Sequence, residues 1–359
     1  MDDQAEIEPQ TTPVVEPAHF TFTGDTYEWL GIWVINLFLS IVTLGIYSAW
    51  AKVRQRKYFY QNTWVAGRSF DYHATGGQIL VGRLIVIAGF VVYSLLASVP
   101  VLALVMPLVL LAVLPWLVVR ALRFNAGVSS WANVRFGFDG RAGRAFLVYV
   151  LYPILAALTA YLTWPFADRA QRRYTVGNHR LGAAPFHFDA RIGAFYGAFL
   201  AALAWVAVFT IIAGAAVGPR LWALFTDHAA PEPGGDMVLI ATIYGFFFLA
   251  LLPASAIYRA FLRNVIFNGA MIDRQHRLHS DIHPMRYAWI MLSNAVLVIV
   301  SMGLLLPWTQ IRLARYSAAH TRLLPGGSLD GFAGELEART TAIGDAYADL
   351  DGFDVGLPI

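Results

Sequence analysis

Cysteine is absent from all 359 residues, and charge is scarce: Asp, Glu, Lys and Arg together make up only 14%. The first absence excludes disulfide scaffolds, thiolate-bound zinc or iron–sulfur sites and thiol catalysis. The second excludes a soluble globular enzyme of ordinary composition, in which about a quarter of residues are charged. Apolar residues take their place, at 58% of the chain, and the mean hydropathy is +0.55. Catalytic signatures are missing as well. The chain holds no G-x-S-x-G, H-E-x-x-H or G-x-x-x-x-G-K-[ST], so no enzyme and no catalytic residue is expected. No acid lies inside the long apolar runs, which removes a membrane-embedded proton relay. No cofactor is expected.

Charge is unevenly placed. Residues 1–28 carry seven acids and no base, and 323–359 carry seven acids against the single Arg339. The middle, 29–322, keeps nine acids and 25 bases. A basic middle between acidic tails can signal nucleic acid. Here the bases sit in short clusters between apolar runs, the pattern of membrane proteins, and no nucleic-acid partner is expected.

Runs without a charged residue cover 29–51, 84–119, 145–167, 192–219, 237–258 and 287–311. About 20 helical residues cross the hydrocarbon core, and Ser98-Val99-Pro100 supplies a turn inside the longest run. The expectation is an all-α polytopic membrane protein of about seven transmembrane helices. It is divided into an acidic tail 1–28, a membrane domain 29–322 and an acidic tail 323–359. The first run is too long, and its flank too acidic, for a cleaved signal peptide.

The chain repeats itself. Phe20-Thr-Phe22-Thr-Gly24 and Phe136-Gly-Phe138-Asp-Gly140 share F-x-F-x-G at an offset of 116, as do Tyr58 with Tyr174 and Asn62 with Asn178. Trp308 to Tyr316, running out of the end of the last apolar run, is a partial third copy. The copies are placed at about 20–135 and 136–277, with a partial one at 278–322, and the aromatic segments read as short strand-like connections.

Thr43-Leu-Gly45-Ile-Tyr47-Ser-Ala-Trp50-Ala-Lys52-Val-Arg54 and the ending Gly344 to Leu357 resemble the YjgN-type bacterial inner-membrane proteins, a domain-of-unknown-function family. The resemblance runs from Phe20 to Leu357 and departs at Ala49, where the family pattern suggests proline. It implies a multi-pass protein of the bacterial inner membrane with no assigned activity.

Bases favour the cytoplasmic side, yet runs 145–167 and 287–311 have arginines at both ends. Two readings follow. Seven crossings leave one basic loop on the wrong side and make the copies inverted. Alternatively, the helices ending near Trp50, Trp164 and Trp308 re-enter, with breakers at Gly45, Pro153, Pro165, Gly303 and Pro307.

In each short copy a base directly precedes a tyrosine. Arg54, Lys57 and Tyr58, Arg172, Arg173 and Tyr174, and Arg312, Arg315 and Tyr316 are expected at one membrane face, against anionic lipid head groups or an anionic solute. Positive-inside anchoring with an aromatic belt is the plainer account of the same residues. Asn36 and Asn294, inside apolar runs, are expected to hydrogen-bond between helices. His276, His279 and His283, interspersed with Asp273 and Asp281, come nearest to a metal set. Pro284 follows and the matching 136–139 segment has no histidine, so no metal is expected. The repeat and the interrupted helices point to a transporter or channel for a neutral or anionic solute. The basic aromatic segments and the lack of buried charge fit a lipid-organising scaffold.

Overall fold

The computed structural model describes residues 16–226, 235–329, 331–336 and 338. Five units follow one another, each a strand, a helical hairpin and a returning strand. The first runs through β2 (Thr21–Phe22), α1 (Thr26–Val42), α2 (Ser48–Gln61) and β3 (Thr63–Val65), preceded by β1 (Ala18–His19). The second comprises β4 (Arg68–Tyr72), α3 (Gly76–Ala97), α4 (Pro100–Gly127) and β5 (Ser129–Trp131). In the third, β6 (Val134–Phe138) leads to α5 (Ala142–Phe146), which passes through a π-helical turn into α6 (Tyr152–Leu158), then α7 (Trp164–Gly177) and β7 (His179–Leu181). The fourth has β8 (Ala184–Phe188), α8 (Ile192–Thr226), α9 (Gly235–Phe246), another π-helical turn, α10 (Leu252–Asn268) and β9 (Ala270–Ile272). The fifth has β10 (His276–Ser280), α11 (Pro284–Val300), α12 (Leu306–Ala319) and β11 (Thr321–Leu324).

The strands pair antiparallel in chain order into one 11-stranded sheet. β1 pairs with β11, Ala18 opposite Leu323, and β2 pairs with β3, Thr21 opposite Trp64. Only Phe20 separates β1 from β2, so the sheet curls into a nearly closed, barrel-like ring, as removal of free edges favours. This overturns the all-α expectation. The strands are only two to five residues long, too short to show alternation against the apolar background, and the F-x-F-x-G segments read as mere connections.

Local chemistry explains the strand–helix junctions. The Asp25 carboxylate caps α1 by accepting from the Tyr27 and Glu28 amides, which holds its pKa below the ordinary value. Thr75 and Gln78 form a capping box at α3. Glycine in F-x-F-x-G answers to packing. A Cβ on Gly24 would sit 2.6 Å from the Phe22 ring, and one on Gly140 would meet the Tyr174 hydroxyl at 2.5 Å.

Because β2 pairs with β3, β4 with β5, β6 with β7, β8 with β9 and β10 with β11, both legs of every helical hairpin start and finish at one edge of the ring. The tight turns lie at the other edge, with positive φ at both residues of Ala66-Gly67 and Ala132-Asn133, as two-residue hairpins require. The arginine clusters all lie near the helix-bearing edge or beyond it, whereas the hairpin tips 43–47, 98–99, 159–163 and 301–305 are uncharged. Every basic segment therefore shares one side, which the positive-inside rule makes cytoplasmic. The copies are parallel, not inverted, and no basic loop is misplaced.

Among the described residues, four helical stretches have the length and hydropathy to cross a membrane: Gly76–Ala97, Pro100–Gly127, Ile192–Pro219 and Leu239–Asn268. The other three runs are not crossings. At 29–51 the helix stops at Val42 and turns through Leu44 and Gly45, with φ of 51° and 88°, and α2 returns. Ala160-Tyr161 and Met302-Gly303 turn alike. In all three the amide after the turn's first residue reaches back five residues at 2.7 Å, from Gly45 to Ser40, Tyr161 to Ala156 and Gly303 to Val298. A Thr or Ser hydroxyl also caps the return: Thr43 for Tyr47, Thr159 for Thr163 and Ser301 for Leu305. A 17-residue leg reaches about 25 Å, short of the roughly 30 Å hydrocarbon thickness. Leu44 and Met302 are 94% exposed at the tips, as apolar tips that stop within the hydrocarbon would be. These hairpins re-enter. Gly45→Ala places a Cβ in the left-handed region and is expected to cost about 1 kcal/mol, read as a lower thermal midpoint in detergent, whereas Gly31→Ala, in open space within α1, raises the midpoint or leaves it.

The expected boundary at 323 falls inside β11. Beyond it, residues 331–336 are helical, and Phe332, Ala333 and Leu336 pack with Val65, Trp131, Val134, Leu181, Ile272 and Leu323 inside the ring. The near-helical recurrence of Phe332, Leu336, Ile343, Tyr347 and Leu350 with acids between them predicts an amphipathic helix over 331–350, and its first turns are seen, docked through apolar residues. Ile343, Tyr347 and Leu350 lie outside the described residues.

Candidate functional site

The strands turn one set of side chains inward, and Phe20 stacks on Phe70 at 6.2 Å while Phe136 lies 6.3 Å from Phe186. This aromatic layer fills the ring with the tail residues beyond it. On the helix side of the layer is an axial chamber of about 510 Å³. Its walls come from all five units: Tyr60 of α2, Asn125 of α4, His179 of β7, Arg263 and Phe267 of α10, and Ser317 of α12. Most polar groups there are already engaged. Asn125 Oδ1 accepts from Arg56 at 2.7 Å, and His179 Nδ1 lies 2.6 Å from the Thr175 carbonyl.

Arg263 is only half engaged. Its Nη2 donates to Thr321 Oγ1 at 2.9 Å and its guanidinium lies 4.3 Å from the centre of the Phe267 ring. Its Nε is buried with no partner, and among the described residues no carboxylate pairs with it. A largely buried cation without a counter-charge is costly, and Arg263 lines the chamber. The only signal in the sequence is that Arg263 ends an apolar helix, where positive-inside anchoring accounts for it.

The predicted residues divide. The three tyrosines are staples: Tyr58, Tyr174 and Tyr316 each donate to the backbone carbonyl 33 positions earlier, on Asp25, Arg141 and His283. Those are the residues that precede α1, α5 and α11, so each hydroxyl ties the two legs of its own hairpin. Tyr58 and Tyr174 are buried. Arg312 donates to Ser293 Oγ and Asn294 Oδ1, Arg315 to the Gly24 carbonyl, and Arg54 to the Tyr47 hydroxyl. Arg172 pairs with Asp168 at 3.0 Å. Lys57 is exposed, and Arg173 lines a lateral cavity in the third unit. Asn294 also donates to the Thr309 carbonyl across α11 and α12, whereas Asn36 Oδ1 is buried without a partner.

The histidines do not converge. His276 is inside the ring against Phe332, where burial lowers its pKa, and His283 caps α11. Among the described residues no group of three His, Asp or Glu could hold a metal. Asp168 escapes sequence reasoning altogether. It is 2% exposed, accepts from Arg172 and from the Tyr258 hydroxyl at 2.5 Å, and joins α7 to α10. Its i, i+4 spacing to Arg172 was the available signal.

A family profile described as "Bacterial protein of unknown function (DUF898)" matches residues 17–350. The chain belongs to that family. It is 25% identical over 358 residues to the inner membrane protein YjgN of Salmonella typhimurium, spanning 86% of this chain and 88% of that one. It is 34% identical over 145 residues to the inner membrane protein YjgN of Escherichia coli strain K12, spanning 40% of this chain and 36% of the relative. No solved structure matches. With its apolar spanning helices, the chain is a multi-pass protein of the bacterial inner membrane.

Proposed function

We propose that the protein binds a small anionic solute in the axial chamber and passes it between the membrane and the cytoplasmic ring, as a transporter or channel. The half-buried, half-partnered guanidinium of Arg263 carries this reading, because an anion would supply the missing counter-charge. The ring of five units supports it, since a chamber on a pseudo-symmetry axis is where repeat-built carriers place their sites. The second reading, a lipid-organising scaffold without transport, draws on the ring's interior, which the phenylalanines and the tail fill from the cytoplasmic side.

Uptake by proteoliposomes against a panel of radiolabelled small anions separates the two. The parent is expected to accumulate at least one anion, and Arg263→Gln to slow that uptake by about tenfold or more, the worth of one charged hydrogen bond. Uptake of nothing in the panel by the parent would favour the scaffold.

A further inference from the structure

The third unit contains a lateral cavity of about 910 Å³ unrelated to the axial chamber. Four arginines line it: Arg141 and Arg144 from the start of the α5 leg, and Arg169 and Arg173 from α7. Arg169 Nε donates to the Ala190 carbonyl at 2.7 Å. Among the described residues Arg144 and Arg173 have neither a hydrogen bond nor an ion pair. Asp139, the one acid lining the cavity, is taken by Arg180 at 3.2 Å. Towards the hairpin tip the wall becomes apolar, with Leu147, Tyr152 and Phe166, all exposed on a re-entrant hairpin.

The repeat supplies its own control. With the offsets that superpose Tyr58, Tyr174 and Tyr316, the four arginines correspond to Asp25, Glu28, Val53 and Lys57 in the first unit and to His283, Arg286, Ile311 and Arg315 in the fifth. The first unit is acidic there on balance. In the fifth, Ile311 is buried and Arg315 is bound to the Gly24 carbonyl. Positive-inside anchoring asks for bases in every unit but for no convergence. Of the three units that the tyrosines align, only the third has the quartet.

We propose that this cavity binds a phosphate group, held by Arg144 and Arg173 with Arg141 and Arg169 behind them. Arginine is the residue suited to this, because its planar fork matches phosphate oxygens pairwise. A phospholipid head group would leave its acyl chains along Leu147, Tyr152 and Phe166. Free inorganic phosphate would use the arginines only.

The test uses the full chain in nanodiscs of phosphatidylcholine with a minor share of phosphatidylglycerol, and counts retained phosphatidylglycerol by native mass spectrometry. Arg144→Gln with Arg173→Gln is expected to weaken retention about thirtyfold, from two bases beside one anion. The charge-matched pair Arg54→Gln with Lys57→Gln should change it by less than about threefold. Equal losses in the two pairs would overturn the proposal, leaving a diffuse surface attraction. If the double variant fails to fold, Arg144→Glu alone reads the same quantity, because that exposed side chain makes no bond among the described residues; unchanged retention there also overturns it. A second arm adds inorganic phosphate to discs of phosphatidylcholine alone. A rise in the parent's thermal midpoint that the double variant lacks, with no loss on replacing phosphatidylglycerol, identifies free phosphate as the occupant. No rise in that arm, with phosphatidylglycerol retained as above, identifies the lipid. No rise and no selective retention overturns the proposal.

Discussion

Single cysteines placed at Asn133, Ala183 and Gln275, in three different turns between strands, are expected to react with a membrane-impermeant maleimide from the cytoplasmic face alone. The natural chain contributes no background, having no cysteine. The three positions are exposed at the far edge of one ring, so they share a side by construction. A cysteine at Ser98, in the exposed turn between α3 and α4, should react only from the opposite face. Cysteines at Leu44 and Met302, on tips that end in hydrocarbon, should react from neither. Seven simple crossings would put Asn133 and Ala183 on opposite faces, so labelling of these two from different sides would reject the ring. The outcome is all-or-none.

Removing the cation beside Asp168 is expected to give the largest loss of stability. With Arg172→Ala the buried carboxylate keeps the Tyr258 hydroxyl but loses its charge partner, and stranding a buried charge costs about 3 kcal/mol. Arg172 is itself 40% exposed, so solvent tempers the loss, which is placed at the low end of the buried range. Adding Asp168→Asn to Arg172→Ala should recover more than half of it, because the uncompensated charge is then gone. Thermal unfolding of the four members of the cycle in one detergent checks this. A double variant no better than Arg172→Ala would mean that packing, not charge, ties α7 to α10.

How much of this was readable in advance depends on the element. The membrane class was legible because an apolar residue in lipid and one in a core look alike only over short runs, and the runs here are long. The run 84–119 covers most of α3 and α4, and their turn at Ser98-Val99 falls where Pro100 calls for it. The repeat was legible because Tyr58, Tyr174 and Tyr316 perform one task at one spacing.

The rest was hidden for two physical reasons. A run of 23 uncharged residues, such as 29–51, satisfies the length for a crossing, and only the backbone at Leu44-Gly45 shows that the chain turns back half-way. Tyr161 takes the place of that glycine in the third unit with a φ of 63°, so no residue type announces the turn there. Strands of three residues carry no periodicity, and their partners are set by the ring, not by their neighbours. The lateral arginines illustrate the same limit. Arg169 and Arg173 stand together on α7 before Tyr174, but Arg141 and Arg144 lie at the start of the α5 leg. Only the hairpin's return brings α5 and α7 to one cavity.

The pairing of Ala18 with Leu323 also orders events in time. Each helical hairpin is a local unit whose flanking strands meet soon after it is made, so the units can insert one by one as synthesis proceeds. The seam between β1 and β11 joins opposite ends of the described chain, and the entropic cost of that closure grows only with the logarithm of the separation. It can form only once the last strand exists. Until then the N-terminal segment has an open edge beside it, and a chain released before Thr321 keeps its membrane helices while lacking the strand that completes the circle. Synthesis from Thr321 onward is therefore the step that turns a row of inserted hairpins into a finished protein.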